Sequence, residues 1–169
     1  DVADVHIRLF HGLDSADTHH SANNFIYGPG GNLYYQRGVF HVSNVETPWM
    51  KNQQHGNSAM YRFNPRTSEY AIHAGNSPHP HGISFNHWGY HFATDGTGGR
   101  AYQVRPDGKG NFKMEGLLKK TVRPVCSSGI LSSDHFPERN NDNFLICNSI
   151  GFLGIKQYTV LEKEASFFG

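Results

Sequence analysis

The sequence predicts an all-β chain, and within that class about three blades of a six-bladed-type β-propeller, on three observations. No stretch of a dozen residues keeps apolar side chains at the i, i+3, i+4 and i+7 spacing of an amphipathic helix. Glycine (19 residues), proline (8) and aromatic residues (13%) cut the chain into short strand-length runs separated by turns. One strand–turn–strand pattern then returns: Gly31 and Gly89 lie 58 residues apart, and Asn143, the last turn residue before a strand, follows Gly89 by 54. Such a repeat suits a blade of four short strands with a generous loop, since blades run about 40–50 residues.

Taken in order, the first hairpin, near residues 20–38, sets "NNFIY" and "NLYYQ" around "GPGG", where glycine supplies positive φ and proline fixes its own. "SAMYRFN", the turn "PRTSE" and "YAIHA" supply further strands of the same blade. The second hairpin, near 80–99, sets "GISF" and "YHFAT" around "NHWG". The third, near 127–151, has a longer turn and reads "SSGILSSDHFPERNNDNFLICNSIG". Propellers close with about 4–8 blades, so three repeats in a single domain, residues 1–169, leave the ring open. The expectation is a partial chain of a longer propeller, with two copies completing one another as the alternative.

Composition narrows function mainly by exclusion. A chain with 37% hydrophobic and 17% charged residues fits one globular domain. Fifteen Lys and Arg against fourteen Asp and Glu give a net charge of +1, which provides no footprint for nucleic acid or an anionic membrane. The opening "DVADVHIRLFHG" lacks the apolar run of a signal peptide or a membrane span. Cys126 and Cys147 have neither CxxC nor CxxCH spacing, so no zinc ribbon and no haem attachment motif is written here. A disulfide between them, or two small buried thiols on neighbouring strands, are both open.

The third hairpin carries a family resemblance. Its order of Ser128-Gly129-Ile130, Asp134, Phe136-Pro137, a polar turn from Glu138 to Asp142, and the strand Asn143 to Ile146 resembles the repeat of glucose/sorbosone dehydrogenase propellers. The first hairpin is similar too, with His20, the strand Asn24 to Tyr27, Gly28-Pro29, Leu33-Tyr34-Tyr35 and Gly38 in sequence. "SPHPHG", "FATDGTGG" and "GILSSDHFP" further resemble the propeller of planctomycete-type membrane-bound dehydrogenases, in which helical repeats and a c-type haem module follow.

The resemblance implies oxidation of a sugar or other alcohol, with His20 as the general base, pyrroloquinoline quinone (PQQ) as hydride acceptor beside Ca²⁺, and a haem electron-transfer domain as partner. It also implies a periplasmic or cell-envelope location. His19, Arg37, His79, His81 and Arg100 are the candidate cofactor-binding residues, and Asp95, in the glycine-rich stretch after the second hairpin, is the candidate calcium ligand. Where the sugar dehydrogenases carry an Arg-Asn pair against the quinone, this chain has Pro78-His79. That departure supports an alternative reading, a non-catalytic propeller that binds carbohydrate or protein.

Residue chemistry supplies a plainer reading beside each candidate. Imidazole is a competent base near neutral pH, and His19 and His20 fit either a pocket lining or a structural loop. His79 and His81, flanking Pro80, could join them in a cluster suited to Zn²⁺ or Cu²⁺; hydrogen-bonded turn histidines are the preferred reading. Arg37, Asp95 and Arg100 at strand ends are also ordinary turn chemistry. Asp134 reads as a turn former. Trp49 and Trp88 read as filler between blades in preference to a sugar-stacking platform.

Overall fold

The computed structural model describes residues 2–75, 77–119, 125–164 and 166–169, and they form an all-β molecule. The first four-stranded antiparallel meander comprises β1 (Asn23–Tyr27), β2 (Leu33–Arg37), β5 (Ala59–Asn64) and β6 (Glu69–Gly75). Between its second and third strands the hairpin β3 (Val42–Thr47) and β4 (Met50–Gly56) is inserted as a separate two-stranded sheet. A second meander follows: β7 (Pro80–Phe85), β8 (His91–Asp95), β9 (Arg100–Pro106) and β10 (Phe112–Gly116).

A single parallel bridge, Phe112 to Ala74, joins the two meanders into one eight-stranded sheet of order β1-β2-β5-β6-β10-β9-β8-β7. Its two end strands, β1 and β7, lie against each other, so the sheet is nearly closed and barrel-like. A three-stranded sheet of β11 (Val125–Ile130), β12 (Phe144–Asn148) and β13 (Gly154–Tyr158) packs by β11 against β7 and β8. The short pair β14 (Leu161–Lys163) and β15 (Ser166–Phe168) follows. Among the described residues no helix is long and apolar enough to cross a membrane.

Strand alternation distributes the core. Because successive side chains point to opposite faces, neighbours in sequence enter different layers. Tyr34, Met60 and Ala93 meet Ala74, Ile83 and Val104 between the two meanders. Tyr35 and Tyr61 join Phe63, Tyr70 and Val45 on the other face of the first meander, capped by Phe10 and Leu13. Phe92 joins Val125, Phe144, Ile146 and Phe167 between the second meander and the three-stranded sheet. Each such fully buried large side chain contributes about 1.5–3 kcal/mol. Tyr35 and Tyr70 satisfy their buried hydroxyls on each other, 2.8 Å apart.

Two turns use glycine where no other residue fits comfortably. In "GPGG" the Gly31 N–H donates to the Gly28 carbonyl (2.9 Å) with φ at +79°, and in "NHWG" the Gly89 N–H donates to Asn86 (3.0 Å) with φ at +83°. Trp88 sits inside that second turn and Trp49 between β3 and β4; they are 75% and 58% exposed. This corrects the expectation that they fill space between blades, because a residue in a hairpin turn does not reach either packed face.

Gly82 marks the closest approach of β7 to the three-stranded sheet. Its φ is +125°, and a Cβ there would lie 2.6 Å from Ser128 Oγ and 3.0 Å from the Ser128 backbone nitrogen. Gly82→Ala is expected to cost about 2–4 kcal/mol through backbone strain and overpacking together. Urea denaturation of the variant checks this; a midpoint within error of the parent's would refute the close packing of β7 on β11.

The cysteines lie on the paired strands β11 and β12, with Cys126 exposed and Cys147 half-buried. Both are free thiols, and the Cys126 thiol donates weakly to the Cys147 carbonyl at 3.6 Å.

Candidate functional site

The meanders share a backbone device. The Gly38 N–H, just after β2, donates to the His20 carbonyl (2.9 Å), and the Gly96 N–H, just after β8, donates to the His79 carbonyl (2.6 Å). His20 and His79 precede β1 and β7, so they hold equivalent positions 59 residues apart. Both glycines are required by close approach: a Cβ on Gly38 would meet His20 Cδ2 at 2.8 Å, and one on Gly96 would meet His81 Cδ2 at 2.8 Å. The Val39 N–H donates to the Pro78 carbonyl (3.0 Å), tying the two loops to each other.

With β1 and β7 adjacent, this device brings the two imidazoles together. Nε2 of His20 and Nδ1 of His79 share a hydrogen bond of 2.6 Å. On its other side, Nδ1 of His20 lies 2.9 Å from Asp17 Oδ2. The three groups therefore form a continuous chain, Asp17–His20–His79. His20 is buried, with 6% of its side chain exposed, and the Phe40 ring stands edge-on to it at 5.6 Å. His79 is half-buried, and among the described residues nothing engages its Nε2.

A single 3₁₀ turn, Thr18–His20, presents the carboxylate end of the chain. Asp17 caps the turn, accepting from the His19 N–H at 3.2 Å, and Ser21 Oγ closes it by donating to the Thr18 carbonyl at 3.0 Å. His19 stacks on His20 at 4.8 Å between centroids, and its Nδ1 lies 3.1 Å from Asp17 Oδ1. The hydrogen bond with His20, aided by the His19 backbone N–H, holds the Asp17 carboxyl below the usual carboxylate range. Electrostatically the turn is a carboxylate shared by two imidazoles. Imidazoles set against a carboxylate are groups suited to acid–base chemistry near neutral pH.

Asp95 acts behind His79. Expected as a calcium ligand, it is 1% exposed and spends its carboxylate on its own chain. Oδ2 accepts from the His79 N–H (3.1 Å) and Ser77 Oγ (3.3 Å), and Oδ1 accepts from the Gly98 N–H. It is a brace for the loop that carries His79. Arg37, expected toward the cofactor, is instead 0% exposed inside the first meander's outer layer. It donates there to the Tyr61 hydroxyl and the carbonyls of His55 and Asn57. His81 and Arg100 are exposed, and among the described residues no hydrogen bond or ring contact ties either to the histidine row.

Two of the residues expected to hold PQQ and Ca²⁺, Arg37 and Asp95, are thus committed to the fold. Of the two candidate guanidiniums Arg37 is consumed in the core while Arg100 is exposed, and Asp95 offers no free oxygen toward an ion that takes six to eight. Asp17 was not among the sequence candidates; its only signal is the spacing D-x-H-H within a polar run. A second buried pair also went unread. His73 on β6 and His91 on β8 stack at 5.4 Å, with Tyr34, Phe85 and Phe112, around a cavity of about 520 Å³ between the meanders.

The fold and site define the class as a stacked-meander all-β protein with a carboxylate–histidine–histidine centre at the junction of its repeats. Residues 1–115 match the family described as "Domain of unknown function (DUF7133)", and the chain belongs to that family. No curated protein and no solved structure matches the chain.

Proposed function

We propose that the meanders are blades of a β-propeller of the glucose/sorbosone dehydrogenase type, and that Asp17–His20–His79 accepts the proton of a sugar or alcohol hydroxyl during its oxidation. The observation that carries this reading is the row itself, a hydrogen bond between His20 and His79 with the Asp17 carboxylate 2.9 Å behind His20. In it His20 is the inner base, Asp17 stabilises the imidazolium that forms, and His79 is the member with a ring nitrogen open to a substrate. Three features support the propeller assignment: two consecutive four-stranded meanders, their face-to-face packing, and first strands that neighbour one another from β1 to β7 to β11. The chain's own part is the proton half of the reaction. The hydride acceptor, the haem partner and a periplasmic or cell-envelope setting belong to the same proposal and rest on the resemblance.

Dye-coupled oxidation of an aldose panel, with PQQ and Ca²⁺ supplied, tests it. Turnover is expected, falling about 10²- to 10⁴-fold in His20→Gln and in the less buried His79→Gln. Absence of turnover together with retained carbohydrate binding would favour the second reading, a non-catalytic scaffold. The specific observation on that side is the structural use of Arg37 and Asp95.

A further inference from the structure

We infer that Asp17, His19 and His20 form a binding site for a divalent transition-metal ion, with Zn²⁺ as the probe. Their ligand atoms all lie within 4.8 Å of one another, and no other group of three or more such donors occurs among the described residues. All three come from four consecutive residues of one turn, so bringing them together costs little additional chain ordering. The Asp17 oxygens already stand 3.1 Å from Nδ1 of His19 and 2.9 Å from Nδ1 of His20. A tetrahedral zinc with bonds of about 2.0–2.1 Å spaces its ligand atoms about 3.3 Å apart, close to both carboxylate–imidazole distances, while the widest donor pair, at up to 4.8 Å, has to draw together.

The surroundings favour an ion there. Nδ1 of His20 lies 2.9 Å from the carboxylate while its Nε2 is held by His79 at 2.6 Å. A ring nitrogen that binds metal is typically oriented by such a partner on the opposite nitrogen. When Nε2–H donates to His79, the Nδ1 lone pair is buried beside the Asp17 carboxylate without a hydrogen-bond partner, and a cation between them would satisfy both. The backbone of His20 is pinned by Gly38, and its ring is confined by Phe40. His19, with 81% of its side chain exposed, leaves the site open to solvent. Two imidazoles and one carboxylate select zinc or copper over calcium or magnesium, which prefer all-oxygen shells. Three protein ligands leave a fourth position for water or a substrate oxygen.

Calorimetric titration of the intact chain with Zn²⁺, together with the visible absorption of the Co²⁺-loaded form, tests the site without reference to turnover. Saturable one-to-one binding and a tetrahedral Co²⁺ spectrum are expected. Asp17→Ala and His19→Ala, both at positions outside the core, are each expected to weaken Zn²⁺ binding by about 10–100-fold or more, at least the effect of losing an outer-shell partner. Zinc binding that survives both substitutions unchanged would place it on other histidines and overturn the assignment. Failure of the parent chain to bind stoichiometrically would overturn it as well. Either result leaves the oxidation reading standing, since that depends on the row from Asp17 through His79 and not on an ion.

Discussion

Lowering the pH from about 6.5 to about 4.5 is expected to remove much of this chain's stability through two buried histidines. His73 and His91 are 7% and 6% exposed between the two meanders, and Nε2 of each is buried without a partner among the described residues. Burial holds His73 down to about 4, with the Arg62 charge adding to it, and holds His91 down to about 3, with His73 adding to it. The charged group that lines their cavity, Arg105, is also a cation, and it is already paired with Glu115 at 3.0 Å.

Above pH 6.5 both imidazoles are neutral folded and unfolded, and the pair has no effect. Below it the unfolded chain takes up protons that the folded chain refuses, so stability falls as the pH falls and levels off near pH 3. Each refused proton costs about 1.4 kcal/mol per pH unit, and the pair together a loss on the order of 5 kcal/mol. That is a large share of the about 5–15 kcal/mol that holds a domain together. Urea midpoints measured across this pH range should fall steeply in the parent and less steeply in His91→Gln. A flat profile in the parent, or an unchanged slope in the variant, would show that the pair does not titrate as placed.

Arg37→Ala is expected to be the most damaging single substitution on the opposite face of the first meander. The guanidinium donates to the Tyr61 hydroxyl at 3.1 Å and to the His55 carbonyl at 3.1 Å, and also to Asn57. Its carbon sits 5.7 Å from the centre of the Tyr61 ring. Truncation strands two carbonyls at the end of β4, opens a cavity beneath Tyr61 and removes apolar stem contacts. The expected loss is about 3–5 kcal/mol, or roughly 10 °C in melting temperature for a chain of this size. Arg37→Lys should recover little of it, since an ammonium is a point charge and does not reproduce the planar fork. A loss below about 1 kcal/mol in Arg37→Ala would mean that the carbonyls find water instead.

These two effects fall where sequence reading is weakest. The turns at Gly31 and Gly89 were legible because positive φ selects glycine locally, and the strands beside them because alternation is local too. Arg37 carries no mark of burial: arginine in a strand ending "YYQRG" reads as a surface residue, and only the inserted hairpin of β3 and β4, folded over it, decides otherwise. His73 and His91 meet across meanders through pairing that neither strand encodes alone. At the candidate site, His20 and His79 were legible as members of a possible histidine cluster between neighbouring blades. Asp17 was not, because a three-residue turn has no periodicity to betray which side chains converge. The tryptophans failed in the other direction, since their hydrophobicity suggested core while their position between paired strands left them outside.

The bonds from Gly38 to His20 and from Gly96 to His79 use backbone atoms alone on both sides. The fold therefore fixes the backbone of positions 20 and 79 by the same bond, and each is a socket; the occupant at position 20 must also fit beside Gly38 and Phe40. Successive repeats set their sockets side by side, so a composite centre can be rewritten one residue at a time while the scaffold stays the same. In this chain the two sockets hold imidazoles within bonding distance. Another chain with the same backbone clamp and different residues in those sockets would carry different chemistry on the same frame.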